Sequence, residues 1–200
     1  MFRAILFDLD GVLVESYDAW FHLLNDAAAA WGTPAISAES FDEIWGQGIQ
    51  ADIDRFFHGK TVAEVEEYYR EHFRDHLEHM TVVPGGADIF ARLRLRGIGI
   101  AVITNTSRQQ AQQILEIAGL EPDVLVGGTD VPDAKPAPDM IHRACELLDI
   151  RTGEALVLGD SRFDRNAARA AGVRFVGMKI AGDETVENLS AFDKRFVSIP

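Results

Sequence analysis

Ala4-Ile5-Leu6-Phe7-Asp8-Leu9-Asp10-Gly11-Val12 joins an apolar run to two carboxylates. The run from Phe2 to Phe7 suits a parallel strand buried on both faces. In open parallel sheets, ligands bind beyond the carboxyl ends of the strands, which is where these acids fall. A strand has a period of two, so Asp8 and Asp10 point the same way while Leu9 turns into the core. Two carboxylates held close raise each other's pKa unless a cation sits between them. Mg2+ is the natural guest, a hard ion that takes oxygen ligands. An ionised carboxylate is also a nucleophile able to form an aspartyl-phosphate.

Downstream of Asp10 the pattern turns helical, from Tyr17 to about Met80. Tyr17 to Trp31 carries a helical stripe that stops at Gly32 and Pro34. Short helices are expected behind Ser37 and around Ile49 to Phe57. Thr61-Val62-Ala63-Glu64 is a capping box that opens a helix running to about His79. His72, His76 and His79 then share one helix face, read as half-exposed surface rather than as a metal site.

Strand and helix alternate beyond that point. Gly99–Thr104, Val124–Val126, Ala155–Gly159 and Arg174–Met178 read as strands, separated by helices. Such alternation implies right-handed crossovers and a doubly wound parallel sheet. The fold expected is therefore α/β, a Rossmann-like doubly wound parallel core with an inserted all-α helical bundle. Residues 1–15 and 81–200 form the core and 16–80 the helical cap, joined through linkers around Val14–Ser16 and Met80–Pro84 that suit hinges. The tail from Gly182 suggests one more short strand near Phe196 to Ile199.

Composition narrows the function classes. With 47% apolar and 26% charged residues, the chain has ample material for a core and an ordinary soluble surface. A net charge of −13 argues against a nucleic-acid partner, since phosphate backbones are held by clustered cations. No apolar run reaches the roughly 20 residues of a membrane helix. Met1-Phe2-Arg3-Ala4 enters the first strand directly, so no signal peptide is expected. The single Cys145 rules out an internal disulfide and agrees with a cytoplasmic location. A monomer or weak homodimer is expected.

Several polar residues fall just after the expected strands: Asp8 and Asp10, Thr104-Asn105, Lys135 between turn-forming prolines, and Asp160 with Asp164. In a parallel sheet these ends share one rim. Taken singly, each has a plainer reading. Thr104 suits a strand-end hydroxyl bonding its own backbone, Asp160 a helix N-cap, and Asp164 a partner for Arg162 or Arg165.

Together, and in this order, the set resembles the haloacid dehalogenase superfamily of mostly Mg2+-dependent phosphohydrolases. Asp8 through Ser16 is similar to its first motif, Thr104-Asn105 to its second, Lys135-Pro136 to its third, and Gly159-Asp160-Ser161-Arg162-Phe163-Asp164 to its fourth. The helical insertion resembles the type-one cap of the phosphoglycolate phosphatase and β-phosphoglucomutase branch. The resemblance implies Asp8 as nucleophile and Asp10 as general acid and base. It implies Mg2+ held by Asp8, the Asp10 backbone carbonyl and Asp160, with Asp164 orienting Lys135 or a metal-bound water. Lys135 and the Thr104 hydroxyl would hold the transferring phosphoryl group, with backbone amides near Gly11 and Asn105 completing a cradle. Gln47 would contact substrate from the cap. An acid at position 10 favours phosphoryl transfer over carbon–halogen cleavage, which needs no protonated leaving group.

The cap decides substrate, a small phosphorylated metabolite. The loop Gly46-Gln47-Gly48-Ile49-Gln50-Ala51 lacks the arginine that grips a distal phosphate in the mutases. This favours hydrolysis, although Arg55, Lys60 and Arg108 remain able to supply that charge. Thr104-Asn105-Thr106-Ser107 also departs from the many phosphoglycolate phosphatases with a lysine two residues after the asparagine. Phosphoglycolate, sugar phosphates, nucleotides and pyrophosphate stay open. So do a phosphosugar mutase and a catalytically silent binding protein.

Overall fold

A computed structural model describes residues 2–198 of the chain. The chain opens with β1 (Ala4–Phe7) and β2 (Val14–Glu15), then four helices: α1 (Tyr17–Trp31), α2 (Ala38–Asp42), α3 (Ile49–Arg55) and α4 (Val62–His72). A 3-10 segment at Phe73–His79 leads into β3 (Thr81–Val82). There follow α5 (Gly86–Leu95), β4 (Gly99–Ile103), α6 (Arg108–Ala118), β5 (Val124–Val126) and α7 (Asp139–Leu147). The last part holds β6 (Ala155–Gly159), α8 (Arg162–Ala171), β7 (Arg174–Met178), β8 (Glu184–Val186) and α9 (Leu189–Phe192).

Six strands form one parallel sheet in the order β5-β4-β1-β6-β7-β8. β1 is central, and every one of its side chains is buried. Ile5 and Phe7 join one apolar cluster while Ala4 and Leu6 join the cluster on the opposite face. The unbroken hydrophobic run is the sequence signature of that two-sided burial. β1 also marks the point where the strand order reverses, the usual place for a ligand in such sheets.

The helices start and stop where local chemistry dictates. Ser107 accepts from Gln110 N to open α6, and Thr61 and Glu64 cap each other reciprocally at α4. Gly32 takes the left-handed conformation that ends α1.

Three regions differ from the sequence reading. β2 and β3, expected as linkers, pair antiparallel through Val14–Val82 and Glu15–Thr81. The helix opened by Thr61 does not continue to His79 but tightens into the 3-10 segment at Phe73. At three residues per turn, Phe73, His76 and His79 share a face against α1, where His79 stacks on His22 with centroids 4.1 Å apart. His76 is therefore buried rather than half-exposed, 3.3 Å from Asp26, while His72 lies against Tyr68. In the tail, β8 adds an edge strand and Asp193–Val197 forms a π-helical turn, so Phe196 and Val197 are helical rather than extended. Ile199 lies outside the described residues.

Candidate active site

Phe7 is in register with Val102 of β4 and with Leu158 of β6, so the residues after these three strands leave the sheet at one rim. Asp8, Thr104 and Asp160 emerge there. Lys135 arrives from the loop between β5 and α7, across a cis Lys135–Pro136 bond. Asn105 clamps the backbone of that lysine from both sides. Its Oδ1 accepts from Lys135 N at 2.9 Å, and its Nδ2 donates to Lys135 O at 2.9 Å.

The lysine head is fully partnered. Nζ donates to Asp8 Oδ1 at 2.8 Å, to Asp164 Oδ1 at 2.6 Å and to the Ile103 carbonyl at 3.1 Å. Lys135 and Asp164 are both buried, which excludes the surface pairing of Asp164 with Arg162 or Arg165. Asp164 also closes the first turn of α8. Its Oδ2 accepts from Ser161 N, and the Ser161 hydroxyl accepts from Asp164 N. Ser161, not Asp160, is thus the cap of this helix, which leaves the Asp160 carboxylate for other work.

Charge at this rim is unbalanced. Asp8, Asp160 and Asp164 each offer an oxygen within 4.8 Å of the others. Three carboxylates face one ammonium. Burial, then Asp164, pushes the Asp8 carboxyl well above its ordinary range, and Lys135 pulls it back only in part. Burial and Asp164 likewise lift Asp160 to about 7. Burial works against the charge of Lys135, but Asp164 and Asp8 outweigh it and raise its pKa. Among the described residues Asp160 forms no ion pair. This donor set, all oxygen and short of positive charge, fits a hard divalent cation. No histidine belongs to the cluster.

Asp10 occupies a separate corner. Its Oδ1 accepts from the Ser16 hydroxyl at 2.5 Å and from Trp20 Nε1 at 3.1 Å. Its Oδ2 accepts from the Thr106 hydroxyl at 2.8 Å and, more weakly, from Thr104 Oγ1 at 3.4 Å. The Thr104 hydroxyl also accepts from Thr106 N at 3.2 Å, so it serves the local backbone as its plainer reading held. Gly11 N donates to the Val14 carbonyl at 2.7 Å, which engages that amide within the loop. What Gly11 supplies is space. Its φ is +81°, and a Cβ there would overlap Asp160 Oδ2.

Asp8, Asp10, Thr104, Asn105, Lys135 and Asp160 line one chamber, with residues of the helical layer on its other side. Gln47 reaches its wall, although its side-chain amide donates to the Glu43 carbonyl. Sequence reasoning missed Ser16, Thr106, Trp20 and Asp52. A buried indole N–H needs an acceptor, and for Trp20 that acceptor is Asp10. For Asp52, nothing in its sequence neighbourhood set it apart from Asp54.

Arg55 pairs with Glu43 at 2.7 Å, Lys60 with Glu64 at 3.4 Å, and Arg108 with Asp130 at 2.8 Å. None of the three lines the chamber.

Comparison with known proteins agrees with this geometry. The family model described as haloacid dehalogenase-like hydrolase matches residues 5–178. A phosphoglycolate phosphatase of Chromobacterium violaceum is 32% identical over 181 residues, covering 85% of this chain and 82% of that protein. CbbY of Rhodobacter sphaeroides, solved with phosphate, superposes with a TM-score of 0.85 at 26% identity, covering 95% of this chain and 96% of that one. A mutant of the same protein was solved with xylulose-(1,5)bisphosphate. The chain belongs to the haloacid dehalogenase-like hydrolases, as a phosphatase of the phosphoglycolate phosphatase-like kind.

Proposed function

We propose that the protein is a Mg2+-dependent phosphatase of small phosphorylated metabolites, working through an aspartyl-phosphate on Asp8. The observation that carries this reading is the paired placement of Asp8 and Asp10 on one chamber. One is held by a buried lysine, the other by four neutral donors, of which Thr104 is the weakest. Residues 16–80 act as a cap over the core formed by 1–15 and 81–200.

Asp8 attacks phosphorus, and the bond to the leaving oxygen breaks. That oxygen takes its electron pair and a proton from Asp10. The Asp10 carboxylate then accepts a proton from water, whose oxygen attacks phosphorus and releases phosphate and Asp8. Ser16, Trp20 and Thr106 orient Asp10 for both transfers. Lys135 screens Asp8 from the incoming phosphate and is itself positioned by Asp164 and Asn105. Asp8 and Asp160 would hold Mg2+, with Asp164 beside them. When bound, the ion offsets the charge of phosphate against carboxylate.

The lining favours hydrolysis over mutase chemistry. Among the described residues, its one cation is Lys135, already committed to two carboxylates. The test is phosphate release from p-nitrophenyl phosphate with Mg2+ and with EDTA, for wild type and Asp8→Asn. Release that needs both Mg2+ and Asp8 supports the reading. Release unaffected by Asp8→Asn contradicts it.

A further inference from the structure

The cap side of the chamber has a composition of its own. Trp20, Phe41, Trp45 and Ile49 give it an apolar wall, and into that wall are set one carboxyl, Asp52, and one phenol, Tyr69. The Tyr69 hydroxyl donates to Asp52 Oδ2 at 3.0 Å. Among the described residues no cation pairs with Asp52. Across the chamber, Gln110 is 1% exposed and its side-chain oxygen is buried with no partner, while its amide nitrogen donates to Gln113.

Gln110 Oε1, a buried acceptor with no donor among the described residues, is costly to folding unless a ligand completes it, and Asp52 has one donor for its two oxygens. A carboxyl in an aromatic wall contributes nothing to packing that an apolar residue would not do better. An anionic group would be poorly received here. It would meet the carboxylates of the rim, and Asp52 once that group is ionised, and among the described residues the lining offers no free cation.

We infer that Asp52 and Gln110 select phosphate monoesters whose leaving alcohol carries further hydrogen-bond donors, hydroxyl or ammonium, and no second anionic group. This rests on the phosphatase reading above. It places phosphoglycolate and bisphosphates among the poor substrates, unlike the ligands named for the relatives. Asp52 reads the donors, Gln110 fixes a second one, and the aromatic wall covers the carbon skeleton. A site built to accept from such donors rejects analogues that lack them far more strongly than an apolar pocket rejects a size mismatch.

The test compares kcat/KM of wild type and Asp52→Asn, with Mg2+, on four esters. These are glucose 6-phosphate, phosphoethanolamine, 2-phosphoglycolate and p-nitrophenyl phosphate, the last with neither donors nor a second anion. In wild type, glucose 6-phosphate or phosphoethanolamine should exceed 2-phosphoglycolate by about tenfold or more. Which of the two leads tells hydroxyl from ammonium. In Asp52→Asn, the kcat/KM of the leading ester relative to p-nitrophenyl phosphate should fall by about tenfold, chiefly through KM. Phosphoglycolate equal to or above both donor-bearing esters in wild type overturns the inference, even if the variant fails to fold. An unchanged ratio in a folded variant does the same. Absence of Mg2+-dependent turnover of p-nitrophenyl phosphate by wild type would instead sink the phosphatase reading itself.

Discussion

Asn105 fastens the helical layer to the sheet rim, its Nδ2 donating to the Gly46 carbonyl oxygen at 2.8 Å. The same amide clamps the Lys135 backbone. One buried side chain thus couples the seating of the cap loop to the placement of the lysine that faces Asp8.

Replacing Asn105 by Ala removes these three hydrogen bonds and leaves the buried Lys135 N–H and C=O without partners. Groups of that kind cost roughly 1–3 kcal/mol each, so a net loss of about 3 kcal/mol is expected. For a chain of this size that lowers Tm by roughly 6–12 °C. A thermal melt within about 2 °C of wild type would contradict the clamp.

Mg2+ should stabilise the wild-type fold and not Asp160→Asn. An ion present at about ten times its Kd adds roughly 1.4 kcal/mol by mass action, or about 3–5 °C in Tm. The melt is read with Mg2+ and with EDTA. An equal Mg2+ shift in Asp160→Asn would remove Asp160 from the metal set.

Lys135→Met leaves Asp8 and Asp164 buried without their shared cation. Breaking a buried pair in this way costs about 3–5 kcal/mol. The variant should melt well below wild type in EDTA and recover part of the loss in Mg2+, because both cations offset the same carboxylates. Equal melts of variant and wild type in EDTA would argue against charge compensation as the role of Lys135.

Asp52 predicts a dependence on pH. Burial pushes its carboxyl from the ordinary 3.8 up to about 7, with the Tyr69 hydroxyl pulling the other way. The folded protein therefore holds a proton there that the unfolded chain releases near pH 3.8. The resulting stability is present in full below about pH 3.8 and is lost as pH rises through about 7. Asp52→Asn cannot ionise, so it should be more stable than wild type at about pH 8 and not at about pH 3.5. Because part of Asp52 faces the open chamber, the gain is on the order of 2 kcal/mol rather than the full value of the shift. A variant less stable than wild type at about pH 8 would contradict this account of Asp52.

The parts of this architecture that follow from periodicity were open to sequence reading. An apolar run ending in Asp8, the β6 run ending before Asp160, and the Ser107 and Thr61 caps each express a local rule, and each lies where that rule puts it. What was hidden depends on contacts between distant segments. The β2–β3 ribbon pairs two residues with two, too few to show an alternation. The shift of α4 into a 3-10 segment is imposed by packing of Phe73 and His76 on α1, not by any residue that breaks helices. Trp20 reads as core until its indole nitrogen is seen on Asp10, across ten residues. Asp52 resembles any exposed helix acid until Tyr69, seventeen residues on, closes over it.

The central claim is that phosphate passes through Asp8. Asp10→Asn lacks the base that activates water, while p-nitrophenyl phosphate needs no proton on its leaving group, so the covalent intermediate should accumulate with that pair. The variant is mixed with p-nitrophenyl phosphate and Mg2+, quenched in acid, digested and analysed by mass spectrometry. The account predicts the gain of one phosphoryl group on the peptide carrying Asp8, together with a burst of p-nitrophenol. A burst with no phosphorylated peptide, or phosphate carried on any other residue, would contradict it.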